Sequence, residues 1–146
     1  MAQNPNRPIS PHLQIYRWGP HMVVSIFHRA TGFVLATAGM LTLLWWIASI
    51  AGGPESYASF QSWVVSAGAE ANGLQTAANW FFRLLGLAVT YSFFQHFFSG
   101  IRHLLMDLGA GYELTTVRTW SIAVFIAALT ATALVAMLVA SRFMGI

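Results

Sequence analysis

Residues 91–109 read YSFFQHFFSGIRHLLMDLG, a segment apolar enough to cross a membrane that also contains two histidines, an arginine and an aspartate. Ionisable side chains are costly inside hydrocarbon, so those in a spanning segment are candidates for function. At helical spacing His96, Gly100 and His103 lie at i, i+4 and i+7, which places them on one face. A flat cofactor could approach the backbone at Gly100 while His96 binds its metal, and haem is the obvious candidate.

The composition is that of a membrane protein. Hydrophobic residues make up 57% of the chain and charged residues 8%, and the mean hydropathy is +0.62, whereas soluble domains have about 25% charged residues. The arginines are scattered along the sequence, so the pI of about 10.0 does not indicate nucleic-acid binding. Because the chain has no cysteine, any metal must rest on histidine or a carboxylate, and a thiolate-bound iron–sulfur cluster is excluded.

Three long apolar runs predict an all-α protein with three transmembrane helices, at about residues 22–50, 79–106 and 119–141. Gly52-Gly53-Pro54 ends the first run, and residues 54–78 are predicted to form a loop. Apolar residues recur in this loop at near-helical spacing, which predicts a short amphipathic surface helix containing Tyr57, Phe60, Trp63, Val64 and Ala67. Neither an internal repeat nor a soluble domain is visible, so residues 1–146 are expected to form a single membrane-anchor domain.

The N-terminal segment is predicted to be extended and interfacial, lying on the membrane surface or against a partner. It has no apolar signal core, and its prolines exclude a continuous helix: Pro5, Pro8, Pro11 and Pro20. Arg7 and Arg17 precede the first span and Arg118 precedes the third, which predicts an N-terminus on the cytoplasmic or matrix side. Arg83 and Arg142 fall on the opposite side and oppose this orientation.

The three-span topology brings ionisable groups of two helices to the same depth. The first helix enters the membrane from the N-terminal side and the second returns to it, so His28 and His96 are predicted to be neighbours. On the first helix Ser25, His28, Arg29 and Gly32 lie at i, i+3, i+4 and i+7, again on one face. We therefore expect a polar pocket between these helices.

Three motifs resemble those of a known family. They are RPISPHLQIY at 7–16, SIFHRATG at 25–32 and HFFSGIRHLLMDLG at 96–109, and they closely resemble the cytochrome b membrane-anchor subunits of succinate dehydrogenase, respiratory complex II. The resemblance covers all three spans. One departure is Ser99, where many relatives carry asparagine.

The resemblance implies roles for individual residues. His96 would be an axial ligand of haem b, and Ser25 and Arg29 would belong to the ubiquinone site. His28, Arg29 and His103 would lie near the haem propionates. The family resemblance also implies a second small membrane-anchor subunit that supplies the other axial histidine, an iron–sulfur subunit, and a flavoprotein subunit that contains FAD.

This resemblance implies a non-flavin subunit of succinate:ubiquinone oxidoreductase, with no succinate-oxidising site in the chain itself. The subunit would lie in the bacterial cytoplasmic inner membrane or the mitochondrial inner membrane and transfer electrons from succinate to quinone. A fumarate reductase anchor is one alternative, because the chain does not set the direction of catalysis. A cofactor-free structural anchor is another, and it predicts no Soret band.

The site residues also have purely structural interpretations. A buried histidine such as His96 can simply hydrogen-bond a neighbouring helix, and Ser25 can bond the carbonyl four residues before it. Arg29 can extend to lipid phosphates. His103 and Asp107 stand at i, i+4 and can form a local ion pair. Spacing alone leaves these alternatives open, whereas the motifs favour haem and quinone binding.

Overall fold

The computed structural model describes residues 16–69 and 71–144, with side chains up to Arg142. The described residues form helices and connections: α1 (Pro20–Val34), a π-helical turn (Leu35–Gly39), α2 (Met40–Ala51), α3 (Pro54–Val64), α4 (Gly73–Asp107) and α5 (Leu114–Met144). Three continuous helices are long and apolar enough to cross a membrane, namely Pro20–Ala51, Gly73–Asp107 and Leu114–Arg142. The prediction of an all-α chain with three spans is therefore confirmed.

The helices extend beyond the predicted apolar runs. Pro20 is the first residue of α1, a position where its missing N–H is not needed. The second span begins at Gly73 because Asn72 and Gln75 form a capping box, in which Gln75 N donates to Asn72 Oδ1 (2.9 Å) and Asn72 N donates to Gln75 Oε1 (3.2 Å). The predicted extended segment covers residues 1–20, of which 1–15 lie outside the described residues. Residues 16–19 belong to no helix, as predicted, whereas Pro20 already begins α1.

The predicted amphipathic helix is α3, which ends at Val64 and leaves Ala67 in the following connection. Phe60 is buried, and its ring meets that of Trp45 on α2 at 5.1 Å and 85°. The side chain of Asn79 on α4 caps the C-terminal end of α3. Its Nδ2 donates to the carbonyls of Ser62 (2.9 Å) and Trp63 (2.7 Å), and its Oδ1 accepts from Ala67 N (3.0 Å).

Helices α1, α4 and α5 pack against one another around an interior that contains both apolar and polar side chains. The buried residues of α4 are all polar: Asn79, Ser92, Gln95, Ser99 and Arg102. Large apolar side chains such as Leu84 and Leu104 are instead exposed. Small polar residues let helix backbones approach closely within a bilayer, where lipid covers the outward apolar side chains. This distribution fits a membrane-spanning bundle.

Candidate functional site

Helices α1 and α4 bring three histidines together, which we call the histidine cluster: His28, His96 and His103. The rings of His28 and His96 stack with centroids 4.0 Å apart and planes 9° apart. The ring of His103 lies 4.9 Å from that of His28 at 42°. The antiparallel arrangement of the first two spans therefore makes His28 and His96 neighbours, as the sequence predicts.

Two glycines give these rings their space. A Cβ added at Gly32 on α1 would lie 2.9 Å from Cε1 of His96, so the small residue permits the close approach of that ring. A Cβ added at Gly100 on α4 would lie 3.8 Å from Nε2 of His28. We predicted that a flat cofactor could approach the backbone at Gly100. In the structure the ring of His28 on α1 lies next to this position.

His96 is oriented by a contact between helices. Its Nδ1 lies 3.0 Å from the backbone carbonyl oxygen of His28. Because a carbonyl oxygen only accepts, Nδ1 of His96 must be the donor, and Nε2 is the ring nitrogen left available to a metal. Histidines that bind metals usually donate their other ring N–H in this way. The ring of His96 is thus oriented by α1, and its Nε2 forms no hydrogen bond within the described part of the chain.

His103 is held differently, by its own helix. Its Nδ1 lies 2.7 Å from the carbonyl oxygen of Ser99, four residues earlier. Ser99 is fully buried, and its Oγ donates to the carbonyl of Gln95 (2.6 Å). The hydrogen bond that orients His103 therefore lies within α4, whereas the one that orients His96 depends on how α1 packs against α4.

Ser25 and Arg29 lie one turn apart on α1, beside the histidine cluster. Ser25 is half-buried and Arg29 is exposed. Within the described residues Ser25 Oγ forms no hydrogen bond, whereas Thr31 Oγ1 donates to the carbonyl of Phe27 (2.6 Å). The stacked rings of His28 and His96 occupy the space between α1 and α4 at this level. Because Arg29 is exposed, a pocket that encloses it needs groups beyond the described residues.

The described side chains contain no group of three or more histidine, cysteine, aspartate or glutamate residues that could hold a metal ion. A metal bound at His96 would need its other ligands from beyond the described residues, and the porphyrin of haem supplies such ligands. The free Nε2 of His96 suits this single-ligand chemistry. The residues present thus fit one axial position of a haem.

Helix α4 also buries a row of polar residues that were not among the predicted site residues. Ser92, Gln95, Ser99 and Arg102 lie at i, i+3, i+7 and i+10 and are all buried. Their spacing follows the helical period, so the pattern was available in the sequence. The backbone carbonyl that holds His96 was also missed, because no sequence pattern reports a backbone partner on another helix.

The chain is similar to known membrane subunits over most of its length. A family model described as "Succinate dehydrogenase/Fumarate reductase transmembrane subunit" matches residues 3–135. The succinate dehydrogenase cytochrome b556 subunit of Paracoccus denitrificans is 32% identical over 109 residues, which cover 75% of this chain and 73% of that protein.

Two further relatives have similar sequence identity to this chain. The mitochondrial succinate dehydrogenase cytochrome b560 subunit of Bos taurus is 32% identical over 125 residues, 83% of this chain and 64% of that protein. The cytochrome b560 subunit of Reclinomonas americana is 35% identical over 114 residues, 78% of this chain and 73% of that protein. This chain therefore belongs to the family of succinate dehydrogenase and fumarate reductase transmembrane subunits.

Proposed function

We propose that the chain holds haem b, together with a second small anchor subunit, in a succinate:ubiquinone oxidoreductase and forms part of its ubiquinone-reduction site. Membership of the family supports the role of membrane anchor, and the relatives named above are cytochrome b subunits. The observation that carries the haem assignment is the 3.0 Å contact between His96 Nδ1 and the His28 carbonyl oxygen. This contact supports the assignment because it orients the ring and leaves Nε2 available to a metal.

His96 would bind the haem iron through Nε2, and the partner anchor subunit would supply the other axial histidine. His28, Arg29 and His103 would contact the propionates, with Gly100 close to the porphyrin. Arg29 suits this role because a guanidinium is a permanent cation with several donors that match a carboxylate. Bound haem supplies a one-electron store beside the quinone site.

Ser25 and Arg29 would bind ubiquinone, the substrate that takes up two electrons and two protons. Ser25 Oγ would donate a hydrogen bond to a quinone carbonyl oxygen, and Arg29 would stabilise the negative charge that develops there. The exposure of Arg29 supports this role because the quinone approaches from outside the chain. The electrons would come from FAD in a flavoprotein subunit and iron–sulfur clusters in an iron–sulfur subunit, so succinate oxidation would take place outside this chain.

We further propose that residues 1–146 form one membrane-anchor domain with its N-terminus on the cytoplasmic side of a bacterial inner membrane or on the mitochondrial matrix side. Arg17 precedes α1 and Arg118 lies in the first turns of α5, so both lie at the same end of the bundle. Positive charge is enriched on the inner side of membrane proteins.

The test is the visible and EPR spectrum of the purified complex carrying His96→Ala. Loss of the ligand should abolish or shift the low-spin bis-histidine spectrum. His21→Ala is the matched control, because His21 lies in the first turn of α1 and its ring packs beside Gly19 rather than in the histidine cluster. An unchanged spectrum in His96→Ala would refute the assignment.

A fumarate reductase anchor is the second candidate, because the description of the matching family names both enzymes. Succinate–ubiquinone and menaquinol–fumarate activities measured in the same membranes distinguish the two. A complex that contains this chain but has no Soret band would instead identify a cofactor-free anchor.

A further inference from the structure

Arg102 is a buried cation on the side of α4 away from the histidine cluster. At about 100° per residue, it lies roughly 120° around the helix from His96. Only 6% of its surface is exposed, and its Nε has no hydrogen-bond partner within the described part of the chain. A buried charge without a partner is strongly unfavourable. Within the described residues, Nε of Arg102 is therefore left without a partner.

Arg102 lines an open groove of about 220 Å³ between α4 and α5. Every other lining residue is apolar. The groove runs from Leu105 and Trp120, near the end where α5 begins, to Phe98 and Ala127, about 10 Å deeper along the helices. The groove thus has one cation near the end of the bundle where α5 begins. From there an apolar channel runs along the helices towards their middle.

We propose that this groove binds an anionic phospholipid, with the phosphate against Arg102 and one acyl chain along the channel. Arg102 lies about 8 Å from the end of α4, so its long side chain reaches the depth of lipid headgroups. Trp120, a residue type favoured at membrane interfaces, borders the same end. Its ring packs on Gly111, where an added Cβ would lie 2.6 Å from Trp120 Cζ3, so this wall of the groove is fixed.

A carboxylate of a partner subunit is the competing anion. It would neutralise Arg102 but would leave the apolar channel between Phe98 and Ala127 without an occupant. A phospholipid satisfies both the cation and the channel. The observations therefore favour the lipid.

The test measures lipid retention by the whole complex in nanodiscs of phosphatidylcholine, with or without phosphatidylglycerol, by native mass spectrometry. The wild-type complex should retain phosphatidylglycerol in preference to phosphatidylcholine. Arg102→Gln should lower retained phosphatidylglycerol about fivefold, the effect of one arginine near a lipid surface. Arg83→Gln is the matched control, because Arg83 is exposed and lies over the ring of Trp80 at 5.2 Å, at the opposite end of α4.

A second variant fills the channel without changing its charge. Ala123 lines the groove, so Ala123→Phe should displace the retained lipid although Arg102 is intact. Ala133→Phe is the control, because Ala133 is an exposed residue of α5 outside the groove.

Three results would overturn the proposal. The first is a wild-type complex with no preference for phosphatidylglycerol, a measurement that requires no variant to assemble. The second is equal loss of lipid in Arg102→Gln and Arg83→Gln, which indicates general attraction to positive charge. The third is release of a partner subunit by Arg102→Gln with lipid retention unchanged, which identifies a protein carboxylate. None of these readouts depends on haem content, so they are separate from the test of the proposed function.

Discussion

At Gly32, a hydrogen in place of a side chain lets the ring of His96 reach the carbonyl oxygen of His28. The ring and the carbonyl belong to different helices, and their 3.0 Å contact requires α1 and α4 to be close at this level. A residue that binds no cofactor thus sets the orientation of the proposed haem ligand. Mutation of residues that orient a metal ligand typically lowers metal affinity or activity about 10- to 100-fold.

We therefore predict that Gly32→Ala lowers the haem content of the purified complex and shifts its EPR spectrum. The added Cβ would lie 2.9 Å from Cε1 of His96, so the ring must move or the helices must separate. Gly86→Ala is the matched control, because a Cβ added at Gly86 meets no heavy atom within 4 Å. Normal haem content and an unshifted spectrum in Gly32→Ala would contradict the proposed orientation.

Ser25 and Arg29 provide a second prediction, for quinone turnover. Removing a donor aimed at developing charge typically lowers the rate about 10²-fold or more. Ser25→Ala and Arg29→Leu should therefore strongly reduce succinate–quinone activity. Succinate oxidation by phenazine methosulfate should stay nearly normal, because that acceptor bypasses the membrane site.

Ser25→Ala is the cleaner variant, since Arg29 is also proposed to contact a propionate. Thr37→Ala is its matched control: it removes a hydroxyl that already donates to the carbonyl of Phe33 (2.7 Å) on the same helix. If Ser25→Ala keeps normal turnover and inhibitor sensitivity in an intact complex, Ser25 does not belong to the site.

At the scale of helices, the side chain of Asn79 on α4 makes most of the hydrogen bonds that hold α3 against the bundle. Asn79 donates to the Ser62 and Trp63 carbonyls near the C-terminus of α3 and accepts from Ala67 N. Helix ends leave carbonyls without partners, and Asn79 satisfies two of them. The position of α3 against the long helices therefore depends on a polar contact as well as on the packing of Phe60.

We predict that Asn79→Ala loosens α3 and speeds chymotrypsin cleavage near Trp63 in intact membranes. A buried hydrogen-bonding group left without a partner costs about 1–3 kcal/mol, which is enough to populate a locally open state. Gln61→Ala, at an exposed position of α3, should leave the cleavage rate unchanged. Equal cleavage rates in Asn79→Ala and the wild type would contradict the fastening role.

The apolar runs were sufficient to predict the number of spans. Helical spacing was sufficient to predict that His96 and Gly100 lie on one face of α4. The start of α4 was predicted too late because the capping box of Asn72 and Gln75 is polar and lies before the apolar run. The contact between His96 and the His28 carbonyl was not predictable. It depends on the rotation of α1 about its own axis, which spacing within one helix does not determine.

At the scale of the whole molecule, apolar side chains cover the outside and the buried side chains of α4 are polar. Such a chain depends on lipid to cover its surface. The end of the bundle where α1 begins and α4 ends carries Arg17 and Arg118, and the proposed haem and quinone residues lie in the half of the bundle nearer to it. This is the end where we expect the iron–sulfur and flavoprotein subunits to dock.

We predict that deleting residues 5–15 releases succinate dehydrogenase activity from the membrane into the soluble fraction. The deletion stops before α1, which begins at Pro20, so the spanning helices should remain intact. Replacing the same residues with a glycine–serine segment of equal length tests whether the sequence or only the length is needed. If both complexes stay fully membrane-bound and stable, these residues do not dock the soluble subunits.

The π-helical turn at Leu35–Gly39 changes how the first span must be compared with other proteins. A π turn accommodates one residue more than an α turn without breaking the helix. An alignment with a relative whose first span is regular should therefore contain a single-residue gap between residues 35 and 39. Without that gap, residues after Gly39 would be assigned to faces that are wrong by about 100°. The helical spacing that relates faces within α1 therefore cannot be extended directly into α2, although the two form one continuous span.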